Sequence, residues 1–344
     1  MKQAANSIWA PSTDGMALAV SRLRAGELVG FPTETVYGLG ADASNARAVV
    51  GIFALKKRPA NHPVIVHLAP NADLERWARR VPPAARTLIE KFAPGPLTLI
   101  VPKSDAVPDV VTGGQKNVGL RFPSHPVAQR LLREFGGGVA APSANRFGRV
   151  SPTTAQHVAE EFGDELPMIL DGGPCPIGIE STIVDFTRGA AVLLRPGAIS
   201  SQELAEVLGY APLPGSGKSP RVSGSLPSHY APVTQSRLVK PFELAAAYRT
   251  AAMSGRRVGV LARSAARPPD FEGMWRQAGP EWALYARALY AELRLLDAAG
   301  VDVILIEEPP TAVDWQAVND RLHRATHTGD VVKPTRSRSG DQSG

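Results

Sequence analysis

The chain has 344 residues, 44% of them hydrophobic and 20% charged, with a net charge of +6 and one cysteine. This composition is typical of globular proteins and excludes a fibrous or wholly disordered chain, an internal disulfide and a cysteine-based metal cluster. No apolar run reaches about 18 residues, and residues 1–7 lack the basic-then-apolar order of a signal peptide, so we expect a cytoplasmic protein with no membrane segment.

Short apolar runs in the first two thirds of the chain predict β-strands. They are Leu28 to Phe31, Val64 to Leu68, Leu97 to Val101, Val118 to Phe122, Thr182 to Phe186 and Ala191 to Leu194. Stretches with helical spacing of apolar residues, such as Ala46 to Leu55 and Thr153 to Phe162, lie between them. This alternation is typical of an α/β domain, which we place at residues 10–210.

A proline-rich segment follows this domain. Ala211 to Val233 contains five prolines with Gly and Ser and has no apolar periodicity, so we assign residues 211–235 to a linker. Beyond it, Arg257 to Leu261 and Val301 to Ile306 have the pattern of strands, and Trp282 to Ala299 that of an amphipathic helix. Residues 236–330 are therefore predicted to form a smaller α/β domain, and residues 331–344, rich in Ser, Gly and basic residues, a disordered tail.

Two glycine patterns resemble nucleotide-binding motifs but lack the right context. Residues 215–219 match the end of a P-loop, yet Pro212 stands where its first glycine belongs, and no strand or helix pattern flanks the match. Residues 38–43 fit a dinucleotide-binding pattern, but the basic residues 56–58 occupy the place of the ribose-binding carboxylate. We interpret the second pattern as a structural turn.

Four polar clusters lie beside the predicted strands and helices, at residues 31–40, 56–63, 140–153 and 178–197. Lysine supplies a mobile charge, arginine a planar fork, and hydroxyls with backbone N–H groups further hydrogen bonds, which together suit a polyphosphate. Each cluster alone also has a structural interpretation. Lys56-Lys57-Arg58 is typical of a solvated helix end, and Ser151-Pro152 of a plain helix N-terminus.

Taken together and in order, these clusters resemble the longer, two-domain form of the YrdC/Sua family of threonylcarbamoyl-AMP synthases. The resemblance spans residues 10–330 and implies a twisted, mixed-sheet α/β catalytic domain of the YrdC type and a small Rossmann-like C-terminal α/β domain. The motifs that carry it are Phe31-Pro32-Thr33-Glu34-Thr35-Val36-Tyr37-Gly38-Leu39-Gly40, Lys56 with Arg58-Pro59, Pro94-Gly95-Pro96-Leu97-Thr98-Leu99, Ala141-Pro142-Ser143-Ala144-Asn145, Glu180-Ser181-Thr182, Leu194-Arg195-Pro196-Gly197, His229-Tyr230-Ala231-Pro232 and Asn319-Asp320-Arg321-Leu322.

The resemblance implies ATP-dependent synthesis of L-threonylcarbamoyladenylate from L-threonine, bicarbonate and ATP, with release of pyrophosphate. The product would serve threonylcarbamoyl modification of the tRNA adenosine next to the anticodon, carried out by a downstream tRNA threonylcarbamoyl-transferase complex. Such nucleotidyl transfer relies on positioning and on neutralising phosphate charge, with Mg²⁺ assisting. The sequence agrees, because it offers cations and hydroxyls without an obvious nucleophile–base pair.

The resemblance also implies roles for individual residues. Lys56 and Arg58 would be catalytic and bind the triphosphate. The other ATP contacts would be His62, Asn117, Ala141, Ser143, Asn145, Ser151, Arg195 and Tyr230, the last closing over the nucleotide from the linker. Threonine would be bound by Thr35, His67, Arg121 and Ser181, with Arg121 pairing with its carboxylate. The family often has Asn and Thr at positions 62 and 117, and no side chain is assigned to a metal.

Two other functions fit parts of the sequence. A nucleic-acid-binding module, with weak RNA binding, would also explain the positive net charge. A carbamoyltransferase similar to the YrdC-type domain of hydrogenase-maturation proteins would share the fold. Those proteins carry cysteine-rich zinc fingers, however, whereas this chain has one cysteine.

Overall fold

The computed structural model describes residues 7–327 except residues 218, 225 and 227. Eleven strands in these ranges form one large sheet. They are β1 (Ile8–Trp9), β2 (Val29–Phe31), β3 (Gly38–Asp42), β4 (Ile65–His67), β5 (Leu97–Pro102), β6 (Asn117–Arg121), β7 (Val139–Ala140), β8 (Ile169–Leu170), β9 (Thr182–Asp185), β10 (Val192–Arg195) and β11 (Leu213–Pro214). The helices among them are α1 (Thr13–Arg24), α2 (Ala46–Lys56), α3 (Pro83–Phe92), α4 (Asp109–Thr112), α5 (Pro126–Phe135), α6 (Ala155–Phe162) and α7 (Ser201–Leu208).

The large sheet mixes parallel and antiparallel pairs. Its strand order is β1-β8-β2-β3-β7-β4-β6-β5-β9-β10-β11. Strands β4 and β6 run parallel, so that His67 lies opposite Arg121, whereas β7 and β5 run antiparallel to them. This arrangement confirms the mixed-sheet α/β fold that the resemblance implied.

The six strands predicted from apolar runs are confirmed as β2, β4, β5, β6, β9 and β10. The predicted turn at residues 38–43 is wrong, because Gly38–Asp42 forms β3, an interior strand between β2 and β7. Its glycines allow close packing rather than a turn. A Cβ atom on Gly40 would lie 2.8 Å from both Phe31 Cε1 and Val139 Cγ1.

The C-terminal part forms a separate, fully parallel sheet. Its strands are β12 (Ser236–Val239), β13 (Val258–Ala262), β14 (Gly273–Gln277) and β15 (Val303–Glu307), in the order β12-β15-β13-β14. Its helices are α8 (Leu244–Met253), α9 (Trp282–Ala298) and α10 (Gln316–Ala325). Short 3₁₀ segments lie at Gly163–Glu165, Pro241–Glu243 and Val313–Trp315. A parallel sheet with crossover helices matches the predicted Rossmann-like architecture.

The segment predicted as a linker packs against both sheets. Its first residues form β11, which extends the large sheet beside β10, and Ala231 bridges to Arg149. Tyr230 belongs to an apolar core shared with Ile179 of the large sheet's domain and Leu289 of α9. Within the P-loop-like segment, the Ser219 N–H donates to the Ser216 carbonyl at 2.9 Å. The predicted tail, residues 331–344, lies outside the described residues.

The part of the chain that the structure describes contains no helix long and apolar enough to cross a membrane.

Two glycine-to-alanine substitutions compare the crowded strand β3 with helix α2, where there is room for a Cβ atom. We expect Gly40→Ala to lower stability by about 1–3 kcal/mol, because overpacking forces Phe31 or Val139 to move. Gly51→Ala in α2 is the matched control: its Cβ would lie 3.7 Å from Leu28, and alanine favours a helix by about 1 kcal/mol. Thermal unfolding followed by circular dichroism should therefore show opposite shifts of the midpoint, and a stabilised Gly40→Ala protein would contradict the packing.

Candidate active site

A cavity lies between the linker and the ends of strands β4 and β6 of the large sheet. It is open to solvent, and its volume is about 500 Å³ with the solvent in its mouth included. It contains basic, hydroxyl and aromatic side chains from every polar cluster of the sequence. Its walls are Thr33, Val36, Tyr37, Gly38, Arg58, Ile65, His67, Arg121, Ala141, Pro142, Ser143, Glu180, Arg195, Ser223, Gly224, His229 and Tyr230. The predicted ATP and threonine contacts that line it directly are Arg58, His67, Arg121, Ala141, Ser143, Arg195 and Tyr230.

Arg121 forms the basic centre of one end of the cavity. It ends β6, and its Nη2 donates to Glu34 Oε1 and to Thr35 Oγ1, each at 2.8 Å. The Thr35 hydroxyl lies 2.9 Å from that of Thr33. Arg121 Nε has no partner among the described residues although it is buried. A guanidinium N–H that is desolvated and unpaired is suited to a carboxylate ligand.

His67 lies beside Arg121 on the neighbouring strand and is buried. Burial and, secondarily, the charge of Arg121 lower the pKa of His67 to about 3. The imidazole is therefore neutral near pH 7 and can both donate and accept a hydrogen bond. Its Nδ1 has no partner within the described part of the chain.

Ser181 and Arg195 connect this end of the cavity to the linker. The Ser181 hydroxyl lies 2.7 Å from Thr98 Oγ1 and accepts from Arg195 Nη2 at 3.1 Å. Arg195 also donates through Nε and Nη2 to the Ser181 carbonyl, and through Nη1 to the Ser223 carbonyl at 2.9 Å. One guanidinium therefore holds both the strand end and the linker at the cavity wall.

Lys56 lies beneath the cavity rather than in its wall. The ammonium is 1% exposed and donates to the carbonyls of Ser143, at 2.6 Å, and of Asn145. Burial, followed by the charge of Arg58, lowers the pKa of Lys56 well below its usual value. Asn145 Nδ2 in turn donates to the Arg149 carbonyl at 2.8 Å. In this structure Lys56 and Asn145, both predicted to contact ATP, stabilise the loop that carries Ser143.

Arg58 reaches the cavity from the other side. Its Nη2 donates to the Pro63 carbonyl at 2.8 Å and to Ser223 Oγ at 3.3 Å, and its guanidinium lies 5.6 Å from the Phe147 ring centroid. Burial lowers the pKa of Arg58 to about 10, so it stays charged near neutral pH. His62 packs edge-on against the same Phe147 ring. Arg58 therefore presents a desolvated positive charge to the cavity.

Asn117 is separate from these residues. It lines a neighbouring depression of about 310 Å³ with Ile65, Ile100 and Ile183. The linker residue Val222, 5% exposed, packs into this apolar site. The structure thus places Asn117 and His62 around the main cavity but not in its wall.

Ser151 is hydrogen-bonded to Glu180, a residue for which the sequence predicted no role. Its hydroxyl donates to Glu180 Oε1 at 2.6 Å, while Tyr290 OH and Arg321 Nε donate to Glu180 Oε2 at 2.9 and 2.8 Å. Burial would raise the pKa of Glu180, but the charges of Arg321 and Arg195 and these hydrogen bonds lower it to about 2. Glu180 and Arg321 belong to the motifs that carry the family resemblance. Tyr290 is one of several buried residues of α9, and its position in the sequence indicates no functional role.

Tyr230 closes the cavity from the linker. It has φ of +61°, a left-handed conformation that is rare for a residue other than glycine. Its ring packs edge-on against His229, with centroids 4.2 Å apart, and stacks at 5.8 Å on Tyr290. The hydroxyl is buried without a partner among the described residues, and it belongs to the cavity wall.

In the small domain, the backbone N–H groups that follow β13 are already hydrogen-bonded. The N–H groups of Arg263, Ser264 and Ala265, which follow β13, donate to Glu307 Oε2 at 2.7, 2.9 and 3.0 Å. These are the donors that would hold an anion at the carboxyl edge of a parallel sheet. The protein's own carboxylate already occupies them.

Comparison with known proteins identifies the family. Residues 21–197 match the family described as "Telomere recombination", with the label Sua5_yciO_yrdC, and residues 199–326 match the "Threonylcarbamoyl-AMP synthase, C-terminal domain" family. Threonylcarbamoyl-AMP synthases of Pyrococcus abyssi and Bacillus subtilis are each 40% identical, and the alignments cover 90% and 92% of this chain and 93% and 94% of theirs. The chain belongs to the threonylcarbamoyl-AMP synthase family.

The likeness extends to the three-dimensional structure. The crystal structure of the Pyrococcus abyssi protein Sua5 complexed with L-threonine has a TM-score of 0.86 and 37% identity, covering 93% of this chain and 96% of that one. The chain is therefore an enzyme of the nucleotidyltransferase type, and the hypothesis that it is only a nucleic-acid-binding module is wrong.

Substitutions should separate a structural role of Lys56, which holds the Ser143 loop, from a direct role of Arg58, which lines the cavity. Lys56→Met leaves two carbonyls without their donor, so we expect both a lower unfolding temperature and a loss of turnover. Arg58→Met should lower turnover by more than tenfold with a smaller effect on stability, since a charge-assisted contact contributes about 1.5–3 kcal/mol. Pyrophosphate release and thermal unfolding measure the two effects. Full activity of a folded Arg58→Met protein would refute its role.

Proposed function

We propose that this member of the family forms L-threonylcarbamoyladenylate from L-threonine, bicarbonate and ATP. The observation that carries the proposal is one cavity with two different cationic ends. Arg121, with neutral His67 and the Thr35 hydroxyl, lies at one end, and Arg58 and Arg195 lie towards the linker. The L-threonine complex of the Pyrococcus abyssi relative supports threonine as the amino acid.

Threonine would bind at the Arg121 end. The unpaired Arg121 Nε faces a ligand carboxylate without first losing a partner. Thr35 and Ser181 would then read the threonine hydroxyl. Glu34 and Glu180 would not hold its amine, because they are already paired with Arg121 and Arg321. The amine remains available to react with bicarbonate, giving a carbamate and water.

ATP would bind at the end formed by Arg58, Arg195 and the Ser143 loop. The carbamate oxygen would attack the α-phosphorus, and the bond from that phosphorus to the β-phosphate oxygen would break, releasing pyrophosphate. The two buried guanidinium groups would neutralise phosphate charge, and donors that are already fixed and desolvated stabilise such charge more strongly than water does. Cys175, the single cysteine, is buried outside the cavity wall, and burial raises its pKa, so it is no nucleophile here.

Magnesium would enter with the nucleotide as part of the substrate. Among residues 7–327, as far as they are described, no group of three His, Cys, Asp or Glu side chains could hold a metal. Both oxygens of Glu180 are occupied by hydrogen bonds, and Glu34 bonds Arg121 and the Ser124 N–H. The ligands of Mg²⁺ would therefore be phosphate oxygens and water.

The product is a reactive mixed anhydride, so a downstream enzyme must consume it promptly. We propose that a cytoplasmic tRNA threonylcarbamoyl-transferase complex does so at the adenosine next to the anticodon. The net charge of +6 would permit weak RNA contact during this transfer. Loss of that tRNA modification on deletion of the gene, restored by the wild-type protein, would support this context.

The direct test is incubation with ATP, threonine and bicarbonate, followed by detection of pyrophosphate and threonylcarbamoyl-AMP by mass spectrometry. Omitting any one substrate should abolish the product. Replacing bicarbonate and threonine by carbamoyl phosphate tests the carbamoyltransferase alternative. Adenylate formation from carbamoyl phosphate, with none from threonine and bicarbonate, would overturn the proposal.

Amino-acid discrimination is expected from the hydroxyl groups of the site. A buried site built to bind a hydroxyl rejects an analogue that lacks it, since its polar groups are left unpaired. Threonine should therefore react much faster than valine, with serine between them. Competing the three amino acids in one assay and comparing kcat/KM checks this, and equal rates for valine and threonine would refute the assignment of Thr35 and Ser181.

We propose that residues 211–235 act as a lid between a catalytic domain at 10–210 and a C-terminal domain at 236–330. The exposed Arg221 provides a tryptic site in this segment. ATP with threonine should slow cleavage there, because Tyr230 would contact the nucleotide and hold the segment closed. Tyr230→Ala should lose the protection, whereas Tyr210→Ala, an exposed aromatic outside the cavity wall, should keep it. Identical cleavage of wild type with and without ligand would show that the segment is only a tether.

A further inference from the structure

Glu180 joins the two domains at the cavity wall. Ser151 of the large domain donates to one carboxylate oxygen, whereas Tyr290 of α9 and Arg321 of α10 donate to the other. Glu180 immediately precedes Ser181, so the direction of its side chain is tied to the placement of the Ser181 hydroxyl. Two of the three side chains that orient this carboxylate therefore come from the C-terminal domain.

Arg321 is completely buried, at 0% exposure. A buried guanidinium is unfavourable unless its N–H groups are paired, and here each nitrogen has a partner. Nε donates to Glu180, Nη1 to Asp320 at 2.7 Å and Nη2 to the Pro196 carbonyl at 3.1 Å. The Arg321 guanidinium thus contacts Glu180, which precedes Ser181, and Pro196, which follows Arg195. It therefore fixes the distance between Ser181 and Arg195.

Tyr290 and Arg321 also support the linker aromatic Tyr230. The Tyr290 ring stacks on it with an interplanar angle of 27°, and the Arg321 guanidinium lies 5.3 Å from its ring centroid. The left-handed backbone of Tyr230 is unfavourable in isolation and persists only where surrounding contacts hold it. The same α10 helix holds the flanking chain, since the His229 N–H donates to the Arg324 carbonyl.

We propose that Tyr290 and Arg321 are positioning residues for adenylate synthesis, which hold Glu180 and Tyr230 in the geometry that the substrates require. This inference rests on the proposed function. Neither side chain lines the cavity. They act through Glu180 on Ser181, at the proposed threonine end, and through Tyr230 at the proposed nucleotide end. The C-terminal domain thus completes the active site rather than merely accompanying it.

The test uses full-length Tyr290→Phe, Arg321→Met and Arg321→Lys proteins. A displacement of about 1 Å at a reacting centre can cost about 100-fold in rate, so we expect Arg321→Met to lower kcat/KM by more than tenfold. Tyr290→Phe should show a smaller loss. Arg321→Lys should recover part of the activity, because lysine restores the charge but not the fork.

The dependence of rate on pH separates positioning from a general loss of folding. Glu180 faces Ser151, Arg195, His229, Tyr230, Tyr290 and Arg321, and without Arg321 burial raises its pKa from about 2. Arg321→Met should therefore lose rate on acidification at a higher pH than wild type does, because Glu180 takes up a proton more readily without its cationic partner.

Two control variants remove similar groups from the same domain. Tyr285→Phe removes another buried hydroxyl of α9 that has no partner among the described residues, and Arg276→Met removes an arginine paired with Glu292 away from the cavity. Both should retain wild-type kcat/KM and pH dependence. If Tyr290→Phe and Arg321→Lys, folded, match these controls, the inference is overturned even should Arg321→Met fail to fold.

Tryptic cleavage after Arg221 gives a readout that does not depend on the reaction. Without ligand, Arg321→Lys should be cut faster than wild type and the controls, because Tyr230 loses the planar guanidinium that lies over its ring, whereas Tyr290→Phe keeps the stacked ring and should be cut at the wild-type rate. Equal cleavage of all five proteins would also overturn the inference. A wild type that forms no threonylcarbamoyl-AMP, yet shows the expected cleavage differences, would instead contradict the proposed function and leave the support of Tyr230 established.

Discussion

Three buried arginines line one cavity and a fourth lies directly behind its wall, and this concentration of positive charge is the constraint on which the rest of the structure depends. Arg58, Arg121, Arg195 and Arg321 are each no more than 7% exposed, and arginine cannot lose its charge at physiological pH. Three carboxylates pair with members of this group in the described part of the chain: Glu34 with Arg121, and Glu180 and Asp320 with Arg321. Backbone carbonyls accept most of the remaining N–H groups, so the cavity keeps an excess of positive charge.

That excess explains why the linker lies where it does. The Ser223 carbonyl accepts from Arg195 and the Ser223 hydroxyl from Arg58, so the linker supplies further hydrogen-bond acceptors to both charges. A polyphosphate would provide stronger acceptors for the same groups. In the function proposed above, the linker and the nucleotide would bind the same two guanidinium groups, and this shared chemistry would couple movement of the linker to substrate binding.

The C-terminal domain has a Rossmann-like sheet but uses it differently from a nucleotide-binding domain. Glu307 occupies the N–H groups after β13 that would bind an anion, and the contribution that we propose for the domain comes instead from α9 and α10. Fold and function are thus separate properties here, as they are in other widely used architectures. The side chains of these helices reach Glu180 and Tyr230, in the other parts of the chain.

The sequence by itself determined the strands β2, β4, β5, β6, β9 and β10, because apolar runs are local features whose period reports burial directly. It also determined, through the resemblance of its motifs, the family and the cavity-lining residues Arg58, Arg121 and Tyr230. Only the tertiary structure decided that residues 38–42 form a strand, since two glycines there are required by Phe31 and Val139 packing from elsewhere in the chain. It likewise decided that Lys56 lies beneath the Ser143 loop and that Arg321 meets Glu180, 141 residues away. Partners so distant in sequence leave no periodic signal, because the contact exists only after two domains have packed around a shared core.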